Sequence, residues 1–298
     1  MSKHKKPNSQ RRVIILCVAD THAGNKLGLM NPAVELLEQD ESGEFAPVRP
    51  PLGPLQKRLW KWFTKDVEAV AGLAGEDEII YLHQGDVVQG HKHMSLQVGN
   101  GSQSNQLLIA IANQIPILGL PNIRQARFIA GTAAHDGIGA AAVVSLLQVL
   151  KMQYPAIRFK ALYHGVLNVD GFTLDYAHHG PAGGSRKWLE GNSLLWYLRD
   201  IVLKEWTERC QVAARVHTRA HVHVFRQATY HATLKGEQHQ FDAILLPSWC
   251  GMGDFAYKVT RSEPVQTFGM IALEVVGGEL VKVHQFIHSL DLRVKEDL

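Results

Sequence analysis

Five times along this chain a hydrophobic, strand-sized run gives way to a short cluster of aspartate, histidine or both. The clusters are Asp20-Thr21-His22, Gly85-Asp86, the run from Gly131 to Asp136, His178-His179, and His221-Val222-His223. A strand that is apolar along its length must be covered on both faces, and it presents charged groups only where it leaves the sheet. Such a chain is restricted to an α/β architecture whose strand ends gather polar side chains. Carboxylates and neutral imidazoles suit borderline-hard divalent ions. The pattern therefore points to a metalloenzyme.

The runs between the clusters set the expected order of elements. Val13-Ile14-Ile15-Leu16 predicts a buried strand over 11–19, with Asp20 at its end. The segment 28–54 carries Pro32, Pro47, Pro50, Pro51 and Pro54 around an acidic middle, which predicts a long irregular insertion able to act as a lid. Trp60, Phe63, Val67 and Val70 share one helical face. A strand over 78–83, a helix over 105–113, a strand over 127–130 and a helix over 138–152 follow, an alternation that favours a largely parallel sheet. Beyond it, Asp170-Gly171 predicts a hairpin turn. Leu194, Leu198, Ile201, Val202 and Trp206 predict a helix, and strands are expected over 213–217, 222–228 and 241–246, with a closing hairpin at Gly277-Gly278.

Composition narrows the class further. The chain has 298 residues without a composition break, so a single domain over 12–298 is expected after a basic tail over 1–11. Lys plus Arg number 31 and Asp plus Glu 28, a balance that gives no bulk argument for a polyanion partner. Arg11, Arg12 and the tail keep nucleic acid open as a partner. Cys17, Cys210 and Cys250 form no Cys-x-x-Cys pair, which fits a reducing compartment. The longest early apolar run is far too short to span a bilayer, so a cytoplasmic protein without a membrane partner is expected.

Each cluster has a reason to hold a cation. Asp20 and His22 lie beyond a strand, where both can turn to one ion. Asp86 follows a glycine and has two oxygens with which to bridge two ions. His221 and His223, one residue apart, fall on the same face if their segment is extended. A lone Asp-x-His or His-x-His arises easily by chance; the ordered series does not.

In that order, Asp-x-His, Gly-Asp, a Gly-Asn-His-Asp-like element, a histidine at a strand end and a final His-x-His, the chain resembles the calcineurin-like metallophosphoesterases over about residues 12 to 290. It looks most like phage-type or prophage-type members. The resemblance implies two facing mixed sheets flanked by helices, a four-layer α/β/β/α sandwich. It also implies two divalent ions, manganese, iron or zinc, that activate a hydroxide for hydrolysis of a phosphate ester, most simply a phosphodiester. Carried over by position, Asp20, His22 and His223 bind the first ion and Asp86 bridges both. His221 with His178 or His179 binds the second, and His135 stands at the leaving group, with Asp136 as its hydrogen-bond acceptor. Arg186 and Lys187 are candidate phosphate clamps.

The chain departs from that pattern at three positions. Ala134 replaces the amide that usually ligates the second ion, leaving Thr132, Gln89, His91, His93 or water to substitute. Ala220 replaces the glycine before the last His-x-His. Gln89 stands where the support of His135 is usually Asp or Asn. Two other functions compete with a small-molecule phosphodiesterase: a nuclease using the same centre, and a non-catalytic relative serving as a binding or scaffold subunit.

Overall fold

A computed structural model describes residues 11–91, 97–99, 101–181, 190–253 and 264–296. In chain order the elements are β1 (Arg12–Val18), β2 (Leu36–Gln39), β3 (Phe45–Val48), α1 (Pro54–Ala74), β4 (Glu78–Gln84), α2 (Gln103–Leu118) and β5 (Ile123–Ile129). Then come α3 (Ala141–Gln153), β6 (Arg158–Leu162), β7 (His164–Val169), β8 (Phe172–Ala177), α4 (Glu190–Arg209) and β9 (Val216–Arg219). The chain closes with β10 (Arg226–Leu234), β11 (Glu237–Leu245), β12 (Val265–Val276) and β13 (Glu279–Asp291).

Among the described residues these form a mixed α/β fold with four α-helices and three sheets. The six-stranded sheet has the order β13-β12-β1-β4-β5-β6, the five-stranded sheet β10-β11-β9-β8-β7, and β2 pairs with β3 alone. β1, β4, β5 and β6 run parallel, as strand-helix alternation requires, while β12 returns antiparallel to β1. The start and the end of the chain therefore share one sheet.

Three hydrophobic clusters hold these layers. In one, the helices cover the six-stranded sheet; α1 contributes Leu59, Phe63, Val67, Val70 and Ala74, the face its spacing predicts. Burying each of the larger side chains is worth roughly 1.5–3 kcal/mol. The second draws Ile15, Leu82 and Ile129 from the six-stranded sheet and Leu174, Val216 and Ile244 from the five-stranded one. The third joins Leu194, Leu198 and Val202 of α4 to Phe241, Ala243 and Leu245 of β11.

Several expectations need correction. The proline-rich insertion over 28–54 is not wholly irregular, because Leu36 to Gln39 pair with Phe45 to Val48 as an antiparallel hairpin. The strand expected over 222–228 begins only at Arg226, and that expected over 213–217 runs Val216–Arg219. Gly139 and Ala140, at φ 65° and 57°, break the helix expected over 138–152, so the regular helix starts at Ala141. Strand β6 was not foreseen, because its exposed positions dilute the apolar signal, whereas the hairpin expected at Asp170-Gly171 joins β7 to β8. The basic tail, save Arg11, and Arg186 and Lys187 lie outside the described residues.

Candidate metal centre

The parallel order of β1, β4 and β5, and of β8 with β9, brings five loops together at strand C-terminal ends. Asp20 and His22 follow β1, Asp86 follows β4, His135 and Asp136 follow β5, His178 follows β8, and His221 and His223 follow β9. The loops are knitted by backbone hydrogen bonds: Asp20 N–H donates to Gly85 O at 3.1 Å, His22 N–H to Asp86 O at 3.1 Å, and Ala220 N–H to His178 O at 2.8 Å.

The side chains meet in four groups, each of which could hold a metal ion: Asp20, His22 and His223; Asp20, Asp86 and His178; His22, Asp86 and His135; and His178, His179 and His221. Nε2 of His22 faces Nε2 of His223 at 3.1 Å, and Asp20 Oδ1 lies 3.5 Å from the latter. Asp86 Oδ2 is 3.2 Å from His178 Nε2, 3.9 Å from His221 Nδ1 and 4.0 Å from His135 Nε2. Asp86 Oδ1 accepts from the backbone N–H of Thr132 at 2.7 Å and from its hydroxyl at 3.1 Å. One oxygen of Asp86 is thus anchored while the other looks into the cluster.

Backbone strain marks the same residues. Among the described residues, five of the nine non-glycine residues with positive φ are Asp20, His22, Asp86, His221 and His223. A side chain in that region costs on the order of 1 kcal/mol, and a fold retains such strain where geometry over-determines it. His221 and His223 therefore do not share a face by strand alternation; they converge because both turn through left-handed backbone. Gly131 serves close approach instead, since a Cβ there would collide with Asp86 and lie 2.8 Å from Asp136 Oδ2.

The electrostatics ask for a cation. Burial, reinforced by His135 and His223, pushes the His22 imidazole down to about 3, so it is neutral. Burial raises Asp20 and Asp86, but neighbouring histidines outweigh it, His223 at Asp20 and chiefly His178 and His221 at Asp86, and both carboxylates end below their ordinary range. His178 is lowered by burial and raised more by Asp86 and Asp20, to about 9. Asp20 Oδ1, His22 Nδ1 and His178 Nε2 are buried without a hydrogen bond. Each such atom costs about 1–3 kcal/mol. His178 Nδ1 is 2.8 Å from Gln84 O, which can only accept, so Nδ1 carries a proton and Nε2, facing Asp86, is the nitrogen that would give up its proton to receive a cation. A metal ion would satisfy all these oxygen and nitrogen atoms except His22 Nδ1, which faces away from the His22–His223 pair.

Other expected residues take different places. Asp136 does not meet the ring of His135; its carboxylate accepts from the backbone N–H groups of Asp86, Val87 and Gly131 at 3.1, 2.9 and 2.7 Å. Burial and repulsion from Asp86 raise it to about 7. The acceptor for His135 Nδ1 is the Gln89 carbonyl, at 2.5 Å, a backbone atom that no side-chain pattern reveals. The Gln89 side chain is occupied by Asn25, which donates to its Oε1 at 2.8 Å. His91 is exposed and in none of the four groups, and His93 lies outside the described residues. His178 and His179 are not alternatives: His178 is buried against Asp86, and exposed His179 joins it and His221 at the rim.

Sequence reasoning missed His83, fully buried in β4. Thr21 donates its hydroxyl to Val87 O at 3.1 Å, so His83 Nε2, 3.1 Å away, must donate to Thr21 Oγ1. This pins the residue between Asp20 and His22. A histidine directly after the apolar run Ile79 to Leu82, still within the expected strand, was the available signal.

The chain matches no protein-family model and no curated protein. Among solved structures it is similar to a protein of unknown function from Aquifex aeolicus, 13% identical over 71% of this chain and 80% of that one, with a TM-score of 0.30. Likeness at that level carries no argument. Among the described residues no helix is long and apolar enough to cross a membrane.

Proposed function

We propose that the protein is a metal-dependent phosphoesterase acting on phosphate esters, most simply phosphodiesters, in the manner of the calcineurin-like enzymes it resembles. The observation that carries this reading is the convergence of Asp20, His22, Asp86, His178, His221 and His223 at one rim, with buried ligand atoms lacking partners. The four-layer arrangement belongs to the same proposal, supported by the core that joins both large sheets and by the helices on their outer faces.

In this reading Asp20, His22 and His223 would hold one divalent ion, His178 and His221 with His179 beside them a second, and Asp86 would be shared. Manganese, iron and zinc all suit the donors. Two bound ions supply activation of water and neutralisation of phosphoryl charge. The chain's own contribution is orientation and proton handling. Thr132 and the loop clamped by Asp136 fix the Asp86 carboxylate. His135, its Nδ1–H held by Gln89 O, directs Nε2 into the site, where a proton on that atom would pass to the departing oxygen.

Metal analysis of purified protein, with assays on a generic phosphodiester and a generic phosphomonoester before and after chelation, tests the proposal. Expected are bound divalent ions and chelator-sensitive hydrolysis of the diester. A protein that binds no divalent ion, or that hydrolyses neither ester with ions bound, would refute it.

A further inference from the structure

Of the basic residues that the sequence offers for nucleic acid, the two among the described residues are not free to serve it. Arg11 is paired with Glu78 and Asp170, and Arg12 with Asp77 and Glu274. One group of exposed cations without an ion pair lies on α1, among others on the surface. Lys57, Arg58, Lys61 and Lys65 are exposed on α1, and Lys26 is exposed in the loop that follows His22. Among the described residues none of the four lysines has an ion-pair partner, and Arg58 only lies over the Trp62 ring at 5.9 Å.

This helix is built against its own electrostatics. Its first turn contains no acidic residue, although the positive end of the helix dipole favours one there. Lys57, Lys61 and Lys65 follow one another at i, i+4 and i+8, a like-charge spacing that destabilises a helix. Only Lys65 has a compensating neighbour, the exposed Glu68 at i+3, while Lys57 and Lys61 have none, and local rules broken in this way are expected where function requires the charge.

The stripe also begins at the candidate centre. The Gln56 amide donates to Asn25 O at 3.3 Å, Asn25 donates to Gln89, and the Gln89 carbonyl holds His135. Lys57 and Lys26 adjoin the first of these links, Gln56 to Asn25. From Lys57 to Lys65 the helix rises ~12 Å, long enough to meet successive phosphates of a strand.

We infer that Lys26, Lys57, Lys61 and Lys65 form a track for the sugar-phosphate backbone of a single nucleic-acid strand leading to the metal centre. This inference rests on the phosphoesterase reading for its choice of polyanion, since a repeating phosphodiester is both the charge the track fits and the bond the centre would cut.

The test is binding of a single-stranded phosphorothioate oligodeoxynucleotide by fluorescence anisotropy across a salt series, alongside thermal unfolding. Lys61→Glu should weaken binding about 5- to 10-fold near 0.1 M salt and lower the slope of log affinity against log salt by about 0.7. Its unfolding temperature should stay level or rise, because the substitution turns two like-charge spacings into favourable ones. Lys26→Gln with Lys57→Gln should weaken binding further. Affinity and salt slope unchanged in both variants would overturn the track. Lysine-dependent capture of phosphatidylserine vesicles without oligonucleotide binding would overturn it in favour of a membrane surface. Lysine-dependent strand binding by a protein that hydrolyses no ester would uphold the track and refute the phosphoesterase reading instead.

Discussion

The two halves of the candidate metal centre differ in exposure and in charge. Asp20, His22 and His223 form the inner half, with side chains 0%, 4% and 22% exposed; in the outer half His178 is as buried, but His221 is 43% exposed and His179 stands at the rim. The inner half owns a carboxylate besides the shared Asp86; the outer half owns only imidazoles. A cation in the inner half would therefore meet more negative charge and less competing water. In the proposed reading, shared use of Asp86 would couple two sites that are chemically unequal.

The largest effect should come from removing what the halves share. Asp86→Asn deletes the oxygen facing His178, His221 and His135, and should weaken metal binding by more than about 100-fold, the upper end for losing a mere outer partner. Hydrolysis should fall with metal content while circular dichroism stays near wild type. Near-normal turnover with two ions bound would break the picture of a shared carboxylate.

Next in size is proton transfer. His135→Ala should retain both ions and lose about 10²- to 10⁴-fold in turnover, with a smaller loss on esters whose leaving groups need no proton. A uniform loss across leaving groups, or loss of an ion, would make His135 a ligand instead, a role its place beside His22 and Asp86 permits.

The inequality itself predicts stepwise binding. Calorimetric titration of metal-free protein should resolve two affinities about 10-fold or more apart, with the weaker ion leaving first under mild chelation and activity falling with it. Ala134→Asn should raise the weaker affinity. Equal affinities would sink the asymmetry.

The smallest effect is a control away from the rim. Burial raises Asp66 to about 6, against the opposing pull of His288, whose Nε2 is 2.8 Å away. A carboxyl whose pKa is higher folded than unfolded binds its proton more tightly in the native state. Its contribution is full below about pH 4 and is lost as pH rises through about 6. Asp66→Asn should flatten that part of the stability profile equally with and without metal. A flattening seen only in the metal-free protein would tie Asp66 to the centre.

What could be read without the structure follows from chemistry that is local in sequence. Val13 to Leu16 had to be a buried strand because four consecutive apolar residues need cover on both sides, and Asp20 had to lie at its end because a buried carboxylate needs polar partners that the apolar sheet interior does not offer. The same reasoning reached Asp86, His135 and His178. The face of α1 was legible because helical spacing repeats within a few residues. His221 and His223 were found for a reason that proved wrong, since alternation on a strand was invoked where left-handed loop backbone brings them together.

Residue types and their order thus determined that this chain makes an α/β fold with aspartates and histidines at its strand ends. Tertiary structure alone decided which polar groups face one another. Asp136 was adjacent to His135 in sequence and became a clamp for the loops around Asp86; Gln89, distant in sequence, brought its backbone carbonyl to the His135 ring. Arg11 and Arg12 resembled part of a nucleic-acid arm until Glu78, Asp77, Asp170 and Glu274 closed on them, while Lys57, Lys61 and Lys65 on α1 stay without an ion pair among the described residues. Identity and spacing fix what a side chain can do, but hydrogen bonds and ion pairs between remote segments depend on positions that only the packed sheets set.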